Sequence, residues 1–300
     1  MPFARLLIAF LLCAAAARAG EMQPILDRPL TLPRGKVDLT LHGTYTNWGT
    51  GASAGGVPGS LTGETLAMGI DFGATDQAQL GLGVALPINP GAGFGSILGS
   101  AAVAVSRSAA LRIDAGFESI GPNGANTAAA SHTSRYFFGM GGPIKVPLSP
   151  TVAFVTGRMG AIQFGHFNNI GDGGTGIYVG ASGLTEASSD FLVVSGGSNN
   201  SSTNMGINLP AGLLLQPDPH LALTLQAGYS AVIEIPSSGS TQSLHFIPIG
   251  LEAVVTPSAP LDVGLRFFLD GYVAQTGGSS TGAPGFFDLR AVMLWFCIHV

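Results

Sequence analysis

The charged side chains of this 300-residue chain recur on one phase of an alternating pattern. Lys36, Asp38, Asp71, Arg112, Asp114, Lys145, Glu252, Asp262 and Arg266 form one set, near one end of the segments that carry them. Glu118, Glu234 and Asp270 form a second set near the opposite end. Mixed charges gathered at one level can line an aqueous constriction, where they select ions by sign. The acidic excess in these sets then predicts a mild cation preference. The same residues can instead pair across a narrow interior and plug it, and the spacing alone leaves both readings open.

Covalent chemistry finds less support. None of the six histidines, His42, His132, His166, His220, His245 and His299, sits in a nucleophile motif, and no G-x-S-x-G occurs. His42 near Asp38 on one face is the best acid–base pair, and two such residues also suit a wet lining. The run Gly171-Asp172-Gly173-Gly174 lacks the alternating carboxylates and terminal acid of an EF-type calcium loop. Of the two cysteines, Cys13 lies in the N-terminal leader, which leaves Cys297 without a disulfide or thiolate-cluster partner. No cofactor or metal is expected, and the chain reads as a non-enzyme. With 17 acidic against 12 basic residues, nothing here favours nucleic acid.

The elements that must hold these charges are strands. Leu66, Met68, Ile70 and Phe72 alternate with Thr65, Ala67, Gly69 and Asp71; after a turn at Ala74-Thr75-Asp76, Leu80, Leu82, Val84 and Leu86 alternate with Gln79, Gly81, Gly83 and Ala85. Side chains of a strand point to opposite faces with a period of two, so the hairpin has one apolar face and one small or polar face. The pattern recurs in segments 36–48, 96–106, 111–120, 135–146, 151–163, 204–215, 221–230, 244–255, 261–270 and 286–300. That gives about twelve strands, with fourteen also possible. Connections alternate between short turns and longer Gly/Ser/Asn-rich loops, the parity of a transmembrane barrel with short periplasmic turns and long external loops. Lys36, Asp38, Asp71, Arg112, Asp114, Lys145, Glu252, Asp262 and Arg266 then fall in the periplasmic half.

Composition agrees with a membrane home. Hydrophobic residues make up 46% and charged ones only 10%, with 45 glycines, whereas an average soluble domain has roughly 25% charged residues. Beyond the leader no apolar run reaches the ~18 residues of a spanning helix, and the remaining way across hydrocarbon is a closed barrel. Residues 1–19 match a secretory signal, with Arg5, an apolar run and Ala17-Arg18-Ala19 before the cut. Residues 20–35 form a periplasmic N-terminal lead, and 36–300 form the barrel. Arg158 breaks the phase of its segment, which a bulge near Gly157 or a shifted register would explain. The insertion 164–203 contains two short apolar pieces, Ile177-Tyr178-Val179 and Phe191 to Val194, able to form a hairpin, fold inward as a constriction, or act as a lid. Tyr45, Trp48, Tyr136, Phe137, Tyr229, Phe267, Tyr272, Phe287 and Trp295 are candidates for interfacial girdles.

The phrase GIDFGATDQAQLGLGVALP, with its turn at Gly73 to Gln77, resembles a hairpin of Gram-negative outer-membrane barrels of the porin- or transporter-like type, including those associated with aromatic-compound degradation loci. IPIGLEAVVTPSAPLDVGLRFFLDGYV is similar to their later hairpins. The resemblance implies a fold and a compartment, the bacterial outer membrane, and leaves the substrate open. The C-terminus departs from the pattern: it ends at Val300 rather than an aromatic, and Phe296 is the nearest aromatic in phase. The expected function is a channel for passive diffusion of small solutes, whose partners are outer-membrane lipid and the barrel assembly machinery. The alternative is a closed structural or adhesive barrel that binds partners through its external loops. A lipid-modifying enzyme is a third class that lacks a nucleophile set.

Overall fold

A computed structural model of the chain describes residues 23–49, 60–89, 96–120, 133–156, 190–197, 203–235, 241–276 and 289–300. The signal sequence expected over 1–19 lies outside the described residues, as do Arg158, Phe287 and the Gly171–Gly174 run. Among the described residues fourteen antiparallel strands form one sheet: β1 (Val37–Gly49), β2 (Ser60–Gly73), β3 (Ala78–Asn89), β4 (Ser96–Ala104), β5 (Ala110–Ile120), β6 (Thr133–Gly141), β7 (Ile144–Ser149), β8 (Val152–Thr156), β9 (Asp190–Gly197), β10 (Thr203–Asp218), β11 (Leu221–Ile235), β12 (Gln242–Ser258), β13 (Leu261–Thr276) and β14 (Leu289–His299). No described helix is long and apolar enough to cross a membrane.

The pairings run from β1 through β6, on to β9, β10 and β11, and back through β14 to β1, so the ladder returns to its start. β7 continues β6 past a bend at Gly141-Gly142-Pro143 and stays on the β5 side, where Ala110 N donates to Pro143 O at 3.0 Å. The bend needs glycine, because a Cβ on Gly142 would run into the Ala110 carbonyl oxygen. β8 and β9 both run antiparallel to β10, β8 against Gly212–Leu215 and β9 against Thr203–Ile207. They share one stave, one behind the other. With β6 and β7 on one stave and β8 and β9 on another, the fourteen strands make twelve staves.

Of the seventh segment expected over 151–163, β8 covers Val152–Thr156, and residues 157–163 lie outside the described ones. The apolar piece at Phe191–Val194 forms neither a separate hairpin nor an inward fold, but completes the same stave as β9. Pro210 lies in the stretch of β10 between the two partners, a place suited to a residue without an N–H.

Burial is inverted relative to a soluble protein. Large apolar side chains face out: Phe72 is 45% exposed, Leu82 52%, Leu225 55% and Leu265 54%. The alternate positions hold buried polar or charged groups, among them Asp71, Arg112, Asp114, Gln226, Glu252 and Arg266. In β14 the ambiguity of an apolar run resolves the same way: Ala291, Met293 and Cys297 face in, while Val292 and Leu294 face out. Hydrocarbon reverses the solvent on one side of the sheet, and the alternation follows.

If the outward face meets lipid, Leu82→Arg in β3 destabilises the barrel by about 2–4 kcal/mol, the cost of a cation near the bilayer midplane. Denaturant unfolding in vesicles reads this. A Leu82→Arg protein as stable as the wild type would place that face elsewhere.

Candidate functional site: the charged mouth of the barrel

The described turns at 74–77, 105–109, 150–151, 219–220 and 259–260 lie at the end where β1 begins and β14 finishes. At this end the lead turns back into the interior. Pro24 opens a short turn, with Asp27 N donating to Pro24 O at 3.0 Å. Ile25 and Leu26 are buried against the inward side chains Ala153, Val155, Leu214, Ala222 and Val254, with Trp295 packed beside them. The barrel supplies the polar ties. Leu26 N donates to Gln216 Oε1 at 2.7 Å, and Lys145 Nζ donates to the carbonyl oxygens of Ile25, at 3.2 Å, and of Arg28. The Arg28 guanidinium grips Asp262 with two nitrogens, Nη2 reaching Oδ1 at 3.0 Å. Further along, Leu32 N donates to Gln79 Oε1 at 2.9 Å, and Gly35 N to Gly73 O at 2.8 Å. Gly73 is required by contact: a Cβ there would strike the Pro33 carbonyl oxygen.

Around this segment the charges are matched. Arg112 donates through Nε and Nη2 to both oxygens of Asp114, each at 2.7 Å. Arg266 Nη2 reaches Glu252 Oε1 at 2.9 Å, and the same oxygen accepts the Trp295 indole N–H at 2.8 Å. Gln79 Nε2 donates to Asp71 Oδ1 at 2.7 Å. The His299 imidazole bridges two carboxylates, with Nδ1 at 2.7 Å from Asp38 Oδ1 and Nε2 at 2.9 Å from Asp262 Oδ2. Asp262 also accepts from Thr256 Oγ1 at 2.6 Å.

Of the nine residues expected near this end, Asp38, Asp71, Arg112, Asp114, Lys145, Glu252, Asp262 and Arg266 are buried within it, and Lys36 is exposed at the entry to β1. The structure distributes them among separate contacts. Lys145 and Asp262 hold the lead; Arg112 with Asp114, and Arg266 with Glu252, form ion pairs. Glu118, Glu234 and Asp270 have register partners Arg135, Asn204 and Pro248, and their side chains lie outside the described ones.

Sequence reading missed Arg28, Gln79, Gln216 and His299. Gln79 and Gln216 share the inward phase and were findable from it. Arg28 lies outside any alternating segment, so periodicity is silent on it. Trp295 was a girdle candidate and is corrected: it lies on the inward phase, half-buried, its ring over Gly264. The histidine found beside Asp38 is His299.

Asp38, Cys297 and His299 place ligand-type atoms within 4.8 Å of one another. Both imidazole nitrogens already meet carboxylates, and Arg28 Nη1 lies 3.3 Å from Nε2. A guanidinium in that position opposes a second cation, so the group is a hydrogen-bonded cluster. At the far end of β12, Ser243 Oγ lies 2.9 Å from His245 Nε2, whose Nδ1 meets Tyr229 OH at 2.7 Å. A phenol in place of a carboxylate gives little help to an imidazolium, and no acyl-transfer set is assembled there.

Removing one partner of a buried pair costs more than removing both. Arg112→Met should therefore destabilise the barrel by about 3–5 kcal/mol, and the double variant Arg112→Met, Asp114→Leu should recover much of that loss. Additive losses in equilibrium unfolding would contradict a coupled pair.

No family model and no curated protein matches the chain. Among solved structures, an outer-membrane channel from Pseudomonas putida F1 has TM-score 0.56 at 11% identity, the match covering 93% of this chain and 100% of that one. LpxR from Salmonella typhimurium has TM-score 0.42 at 9% identity, covering 86% and 99%. The translocator domain of autotransporter NalP from Neisseria meningitidis has TM-score 0.40 at 13% identity, covering 99% and 95%. The likeness is one of fold, and it agrees with what the residues build: an antiparallel, up-and-down membrane β-barrel of the Gram-negative outer-membrane type.

Proposed function

We propose that the chain is an outer-membrane channel through which small solutes pass by passive diffusion. The observation that carries this reading is the inverted burial: twelve staves with an apolar exterior enclose an interior lined by hydrogen-bonded charges and amides. Such an interior suits water and polar solutes, and the lipid-facing exterior suits an outer-membrane location. In this reading Asp38, Asp71, Arg112, Asp114, Lys145, Glu252, Asp262 and Arg266 set the electrostatics of the periplasmic constriction, with Glu118, Glu234 and Asp270 further out. The fold similarity to an outer-membrane channel is compatible with this and does not name a solute. The chain acts in this reading as a conduit and not as an enzyme.

A second reading has specific support. The ion pairs are internally matched, and Ile25 and Leu26 of the lead pack inside the barrel at the end where a path would leave it. A barrel closed in this way would serve a structural or adhesive role, binding partners through its external loops.

Planar-bilayer recording of the refolded full chain separates the two. A channel gives discrete conductance steps and lets proteoliposomes swell in iso-osmotic arabinose. A closed barrel gives neither, while still migrating as a heat-modifiable folded species on gels, and that outcome would overturn the channel reading.

A further inference from the structure

The lead's footprint in the mouth has the composition of a ligand subsite. Its floor is apolar, with Ala153, Val155, Leu214 and Val254 under Ile25 and Leu26, and Trp295 at the side. Above that floor stands Lys145, which is 7% exposed. Its hydrogen bonds go to two main-chain carbonyl oxygens, those of Ile25 and Arg28. Gln216, 6% exposed, accepts from Leu26 N. The chain thus presents its own apolar side chains and acceptor oxygens to a shelf and a buried ammonium.

If the lead withdraws, the groups it leaves are not equal. Asp262 loses Arg28 but keeps Thr256 and His299, and Gln216 keeps its bond to Pro219 O at 3.2 Å. Lys145 loses both carbonyl oxygens. Water then reaches the ammonium, and an anionic oxygen is the partner that holds it by a stronger, charge-assisted bond than a carbonyl oxygen does. The vacated shelf also exposes apolar surface.

We propose that the mouth is a binding subsite for small amphipathic carboxylates, with the carboxylate on Lys145 and the apolar body on the Ala153–Val155–Leu214–Val254 floor, and that residues Pro24–Arg28 occupy it as a displaceable internal ligand. This deepens the channel reading and rests on it for its purpose. A solute of this class would enter the mouth by taking the lead's place. Competition has a sign that a passive lining lacks: weakening the lead raises the apparent affinity of the solute, because the binding-competent state is populated more often.

Trp295 borders the shelf, and the chain's other tryptophan is Trp48. In a Trp48→Phe background, Trp295 fluorescence of the folded full chain is titrated with hexanoate, with acetate, hexanol and hexylammonium as controls. Hexanoate should give a saturable change that the controls lack over the same concentrations. Lys145→Met should weaken hexanoate about tenfold or more. Arg28→Ala, which removes a tie of the lead but nothing the solute touches, should strengthen it several-fold. No saturable response, an equal response to hexanol, or an Arg28→Ala protein that binds hexanoate no better would each overturn the proposal. Bilayer recording of the same preparations tests the other reading: conductance without hexanoate binding sinks the subsite alone, and binding without conductance sinks the channel alone.

Discussion

A backbone amide in hydrocarbon has no water to bond, and leaving one unpaired costs several kcal/mol. That constraint explains the least regular part of the barrel. Between β6/β7 and β10 the chain supplies the seventh stave in two pieces, β8 from below and β9 from above, separated in sequence by 157–189. Either piece alone would leave much of β6 and β10 with bare edges at membrane depth. Both together cover them, apart from the short stretch of β10 that carries Pro210.

The same solvent reversal sets where polarity can go. Outward positions must be apolar, so the barrel's polar and charged residues collect inside, where strand register brings some of them side by side. They settle into contacts that satisfy their geometry, as with the two-pronged Arg112–Asp114 pair and the Glu252 oxygen shared by Arg266 and Trp295. Close approach is obtained with glycine. Gly264 accommodates the Trp295 ring, and Gly73 accommodates the lead at Pro33.

How far the sequence was readable follows from the same physics. Alternation at Leu80, Leu82 and Val84 against Gln79, Gly81 and Gly83 is local, and a lipid face enforces it, so the hairpins and their inward phase were legible. Asp71, Arg112 and Glu252 could be placed on the inside from phase alone. Their contacts could not, because register across the barrel sets which charge meets which. β9 was obscured because Phe191–Val194 is a continuous apolar run inside a Gly/Ser/Asn insertion, with no alternation to mark a face. The lead was obscured for a different reason: Ile25 and Leu26 are bound by tertiary contacts to five strands and carry no periodic signal of their own.

A buried ion pair is often no more stabilising than apolar residues of the same volume, since desolvation offsets the attraction. Stability alone therefore does not account for a mouth built from Lys145, Asp262, Gln216 and Gln79 where leucines would pack. What polar ties offer is exchange. A lysine that holds a carbonyl oxygen can hold another oxygen with little net change, whereas a leucine pulled from an apolar socket exposes that socket to water. The lead combines the two, with Ile25 and Leu26 giving adhesion and the barrel's amides and charges giving direction. A segment held in this manner is anchored when nothing competes, and it yields to a molecule that offers the same oxygens and a comparable apolar surface.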